Sequence, residues 1–204
     1  MLIAITQPGL LKHEALAIEA LIKAGVNYVH VRKPGYASEE VGALLSAVPD
    51  ASRPCLSVHY HHQAAQLSGV GGLHRTKGFV VKGGKDCRVS ASCHSVAEVQ
   101  ALRVAECQYV FLSPVYDSIS KKGYASAFSK ASLCEFLCHK GADMPAVVAL
   151  GGITKDNVAA VRQMGFDGAA VLGALWVVHN RVVDVPATVD RFYEIQEQWK
   201  RACQ

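Results

Sequence analysis

Groups able to grip an anion recur in this chain immediately after short apolar runs. Arg32 and Lys33 follow the run ending at Val31, His59 follows the run ending at Val58, and Ser92 closes a run that leads to His94. A guanidinium can hold a phosphate through two parallel hydrogen bonds, an ammonium adds a compact charge, and a hydroxyl donates one bond more. Lys121, between Ser118-Ile119-Ser120 and Lys122-Gly123, offers the same chemistry from a later segment. His59 and His94 could also take up or release a proton near neutral pH. Two further apolar runs, Ala146 to Leu150 and Gly168 to Leu172, end in Gly151-Gly152 and in Gly173. Glycine leaves the amide N–H uncovered, so these tips are candidate backbone donors to a phosphate. The competing account is that the glycines only make tight turns. The expected catalytic set is Arg32, Lys33, Ser92, Lys121, His59 and His94. Ser118, Ser120, Gly151, Gly152, Leu172 and Gly173 are expected to bind phosphate.

For these residues to meet, the runs must be strands whose C-terminal ends converge. Helical spacing separates them: Leu11 to Ala24, Ser38 to about Val48, Gln63 to Leu67, a Ser95-capped segment with Val96, Val99 and Leu102, Ser132 to Cys138, and a Thr154-capped segment through Val161. Leu2 to Ile5, Gly71 to His74 and Tyr109 to Leu112 read as the remaining strands, and Val189 to Trp199 as a closing amphipathic helix. A helix or helical turn is expected after Gly173. Arg75 to Arg88 shows no full helix, and Ser113 to Phe128 is longer than a plain connection, which marks a functional loop. Strand and helix alternate without a switch in pattern, which predicts one compact (β/α)8 TIM barrel over residues 1–204.

At 204 residues and 50% hydrophobic, the chain can bury a substantial core, yet it is short for a barrel, which usually needs about 250 residues. The formal charge of +4 is spread along the chain, which suits small phosphorylated substrates and argues against nucleic acid as a partner. No apolar run approaches the roughly 20 residues of a spanning helix, so a cytoplasmic protein without a membrane partner is expected. Seven cysteines without a CxxC pair suggest buried thiols rather than a disulfide framework or a zinc knuckle. His59, His61 and His62 lack an acidic partner and cannot all share a face, so they read as a polar helix start and no metal ligand is assigned. Phe192, Ile195 and Trp199 read as closing the barrel, and a homo-oligomer remains compatible with the chain.

The order of these segments resembles the thiamine phosphate synthases and their TenI-like relatives. His30-Val31-Arg32-Lys33 is similar to that family's Gln-Leu-Arg-x-Lys, Ser92-Cys93-His94 to its Ser-x-His, and Ser113-Pro114-Val115-Tyr116 to its Gly-Pro-Val-Phe. Ser118-Ile119-Ser120-Lys121 is similar to the Thr-x-Thr-Lys loop, and Ala149-Leu150-Gly151-Gly152-Ile153 to Ala-Ile-Gly-Gly-Ile. The resemblance implies a (β/α)8 barrel of thiamin biosynthesis. In the synthases an aminopyrimidine diphosphate loses pyrophosphate and is captured by a thiazole phosphate, with Mg²⁺ as cofactor. Arg32, Lys33, Ser92 and Lys121 would then serve the diphosphate, and Ser118, Ser120, Gly152, Leu172 and Gly173 the thiazole phosphate. The TenI-like branch implies instead a thiazole phosphate tautomerase, and a third alternative is a non-catalytic thiazole phosphate binder. The chain departs from the pattern at the metal ligands: His59-Tyr60 stands where the family has Asn-Asp, and Leu73 to Lys85 holds no carboxylate. Pro114 occupies the position of the tautomerase histidine, so His59, His61 or His94 would have to replace it.

Overall fold

Val, Ile, Leu and Ala dominate four-residue segments too short to bury themselves, and they do so by pairing side by side. In the computed structural model, which describes residues 1–75, 87–117 and 128–202, eight such strands form a closed parallel barrel. The chain runs β1 (Leu2–Ile5), α1 (Glu14–Lys23), β2 (Tyr28–Val31), α2 (Ser38–Ala47), a 3₁₀ turn (Asp50–Cys55), β3 (Leu56–His59), α3 (His62–Leu67) and β4 (Gly72–Arg75). It continues through β5 (Arg88–Cys93), α4 (Val96–Gln100), β6 (Tyr109–Leu112), α5 (Lys130–Cys138), β7 (Ala146–Ala149), α6 (Val158–Gln163) and β8 (Gly168–Val171). A hairpin of β9 (Val178–His179) and β10 (Val182–Val183) leads into α7 (Val185–Arg201). β1 closes the ring: Ile3 pairs with Tyr28 on one side and with Ala170 on the other. The expected (β/α)8 barrel is therefore present.

Side chains on a strand alternate between faces, so every strand serves two cores. Outward residues such as Ala4, Val29, Val31 and Val58 pack under the helices with Ile18, Leu21, Phe192 and Trp199. Inward residues Ile3, Ile5, Tyr109, Phe111, Val148 and Ala170 form a separate apolar cluster inside the ring. The other inward positions, His30, Ser57, His59, His74 and Ser90, are polar and buried. The barrel lumen is thus apolar along β6, β7, β8 and β1 and polar along β2 to β5.

The end of the chain departs from the expected pattern. After Gly173 comes a single turn, the shorter of the two forms expected, closed by Leu175 N–H donating to Leu172 O, and then an unexpected hairpin. Strands of two residues carry no periodicity, and the Asn180-Arg181 turn uses positive φ without glycine, so sequence gave no sign of it. α7 begins at Val185, earlier than Val189, because the Asp184 side chain accepts from Ala187 N–H and Pro186 sits in the first turn. The six described cysteines are free thiols; Cys93 and Cys107 are buried, whereas Cys138 is exposed, so general burial does not hold. No described helix is long and apolar enough to cross a membrane.

Candidate anion-binding cavity at the barrel mouth

A cavity of about 840 Å³ opens over the C-terminal ends of the strands. Its wall includes Arg32, His59, Ser92, His94, Gly151, Gly152, Leu172 and Gly173, residues that lie far apart in sequence. Ser118, Ser120 and Lys121 lie outside the described residues.

Lys33 is placed differently. Alternation turns it away from Arg32 and into the outer layer, where its ammonium is fully buried. There Nζ donates to Glu14 Oε1 at 2.5 Å, to Gln7 O at 2.8 Å and to Gly9 O at 2.7 Å. Burial pushes the Glu14 pKa up and the Lys33 pKa down, and the ion pair opposes both shifts. Lys33 does not line the cavity, so the geometry gives it a structural post holding the β1–α1 connection in place of contact with a diphosphate.

The two glycine tips have different causes. Gly151 and Gly152 adopt φ of 98° and 64°, and a Cβ would come within 2.9 Å of Pro114 Cα at the first and 2.5 Å of Asp117 O at the second. Close passage of the segment after β6 therefore requires both glycines. At Gly173 an added Cβ would meet nothing within 4 Å, so neither packing nor a turn explains the missing side chain. Its open side lies in the wall of the cavity, where a ligand can reach the backbone.

Three imidazoles gather beneath the mouth. His30 Nδ1 is 2.9 Å from His59 Nε2, and His30 Nε2 is 2.6 Å from the Tyr109 hydroxyl. His74 meets Ser90 Oγ at 2.9 Å and Ser92 Oγ at 3.0 Å. Burial, reinforced by neighbouring cationic groups, lowers the pKa of His30 and His59 well below the ordinary value and that of His74 to about 3. The cluster is neutral at physiological pH. His94 instead sits at the rim, with Nδ1 3.0 Å from Ser113 O.

Sequence reasoning missed His30, His74 and Arg75 as parts of this region. His30 and His74 were legible in principle: both stand at inward positions of a period-two strand, one of them in register with His59. His61 and His62 do not join the cluster; His61 bonds Lys33 O and His62 bonds His74 O.

The described donor set does not fit Mg²⁺, which requires oxygen ligands. Glu98 is the one carboxylate among the described residues of the wall, and it accepts from His94 N–H at 2.6 Å. His30, His59 and His74 bring nitrogen atoms within 4.8 Å of one another, a donor type suited to transition metals. Yet the His59 and His74 rings stack at 3.9 Å and 19°, so their in-plane lone pairs do not converge on one ion, and both His30 nitrogens are occupied.

Fold and mouth together define a (β/α)8 barrel with a cationic cavity framed by glycine-ended strands. Residues 2–175 match the family model of thiamine monophosphate synthase, and the chain belongs to that family. It is similar to a thiamine-phosphate synthase of Methylobacillus flagellatus, 28% identical over 87% of this chain and 85% of that one. A thiamine-phosphate synthase of Bacillus velezensis is 34% identical over 53% of this chain, a stretch that spans 46% of that relative, less than half its length. Among solved structures, thiamine phosphate pyrophosphorylase of Bacteroides thetaiotaomicron superposes with a TM-score of 0.82 at 28% identity, covering 98% of this chain and 97% of that one.

Proposed function

We propose that this protein joins an aminopyrimidine diphosphate to a thiazole phosphate and releases pyrophosphate. The C–O bond to the diphosphate breaks with its electron pair leaving on pyrophosphate, and the thiazole nitrogen lone pair forms the new C–N bond. The barrier lies in charge gathering on the leaving group, so fixed donors aimed at it accelerate the step. Arg32, Ser92 and Lys121 are assigned to the diphosphate; Ser118, Ser120, Gly152, Leu172 and Gly173 to the thiazole phosphate. The strongest support is that Arg32 and both glycine tips border one cavity, with Gly173 open for reasons the fold does not supply. In the family such chemistry is supported by Mg²⁺, for which the described wall offers no free carboxylate. The test is to give the purified protein both substrates with and without Mg²⁺ and to follow product by mass spectrometry. Turnover lost in Arg32→Ala and in Lys121→Ala is the expected result; absence of product in every condition would remove the proposal.

A TenI-like tautomerase is the second reading, favoured by two imidazoles, His59 and His94, in the same wall. His94, at the rim of the wall, is the imidazole placed to exchange a proton with a ligand. Conversion of a thiazole carboxylate phosphate tautomer, abolished in His59→Ala or His94→Ala, would select it.

A further inference from the structure

We propose that Arg32 and Arg75 form a clamp that binds a diphosphate directly, without a bridging metal ion. Val31 pairs with Val58, so Arg32 stands level with His59, and His59 pairs with His74, which immediately precedes Arg75. The two guanidinium-bearing residues therefore flank the tip of β3 from β2 and β4, beside the stacked imidazoles, and both line the cavity.

Their isolation distinguishes them. Arg53, Arg88, Arg103, Arg181, Arg191 and Arg201 donate hydrogen bonds to carbonyls or carboxylates, and Arg162 stacks on Trp199. Arg32 and Arg75 alone have no side-chain hydrogen bond, ion pair or ring partner among the described residues. Glu98 lines the same cavity, where its carboxylate accepts from His94 N–H and makes no ion pair with either arginine. Two guanidiniums without an ion-pair partner among the described residues, facing one cavity, suit a dense, multiply charged anion, because each presents a rigid fork of donors to phosphate oxygens. A single phosphate group would engage one fork; a diphosphate engages both. The clamp takes over the charge neutralisation that a metal held by several carboxylates would supply, since the described wall contains Glu98 as its one carboxylate. Identifying the bound anion as the leaving group rests on the synthase reading; the clamp itself does not.

Titration calorimetry of the full chain with inorganic pyrophosphate, in EDTA and then in excess Mg²⁺, tests this. Binding is expected in EDTA, weakened at least about tenfold by Arg75→Ala and by Arg32→Ala, and partly restored by Arg75→Lys. Mg²⁺, which masks charge on the pyrophosphate, should not tighten it. Should Arg75→Ala fail to fold by circular dichroism, Arg75→Gln, which keeps much of the side-chain length, takes its place. Binding that requires Mg²⁺, binding indifferent to loss of Arg75, or no binding in either condition would overturn the clamp. Thiazole phosphate is titrated in parallel: its failure to bind wild type would count against the synthase reading while the pyrophosphate result still judges the clamp.

Discussion

His30 Nδ1 lies 2.9 Å from His59 Nε2 inside the barrel, so the imidazole that reaches the cavity is tied to one that never meets solvent. Because His30 is neutral it carries a single proton, and the links to His59 and to Tyr109 must run in one direction along the chain. The orientation of His59 at the mouth is thus set from within the lumen.

Acid should weaken this fold through that cluster. In the unfolded chain each histidine protonates near its ordinary pKa of about 6.5, whereas the folded protein resists protonation to lower pH, down to about 3 for His74. The unfolded state then binds more protons, so the stability these groups contribute is present above about pH 6.5 and is lost as pH falls toward the folded values. The slope is at most about 1.4 kcal/mol per pH unit for each histidine. Urea midpoints at pH 7.5 and pH 5 should differ clearly, and His74→Gln should flatten the dependence; equal midpoints in wild type would contradict a neutral cluster.

Lys33→Met leaves Glu14 as an uncompensated buried charge. A loss of about 3–5 kcal/mol is expected in chemical denaturation. Adding Glu14→Leu should recover much of it, since the pair is then replaced by apolar side chains. Weaker pyrophosphate binding by a stable double variant would instead return Lys33 to the anion site.

Gly152→Ala and Gly173→Ala should part company. The first forces a Cβ to within 2.5 Å of Asp117 O at a φ of 64°, and is expected to cost about 1–3 kcal/mol of stability. The second meets nothing in the protein, so the melting temperature should hold while thiazole phosphate affinity falls. Unchanged affinity in Gly173→Ala would mean that no ligand approaches that backbone.

The thiols should react in order of exposure. Burial raises Cys93 to about 12 and Cys107 to about 11, which suppresses the thiolate that alkylating agents attack. Iodoacetamide at pH 8, followed by peptide mass spectrometry, should label exposed Cys138 well before either of them.

By itself the sequence determined the barrel, because apolar runs of strand length alternating with helical spacing leave few other ways to bury both. It also located Arg32, His59, Ser92, His94 and the glycine-ended tips, because in a parallel barrel whatever follows a strand arrives at one face. Tertiary structure decided which face of each strand a residue occupies. Lys33 and Arg32 are neighbours in sequence, yet one neutralises Glu14 in the outer layer and the other faces the cavity, since successive side chains point in opposite directions. The same alternation across different strands gathered His30, His59 and His74, which the linear order had separated, and left His61 and His62 outside. A lone glycine reads the same in either role; only the space around Gly152 and Gly173 distinguished one demanded by close packing from one left open to a ligand.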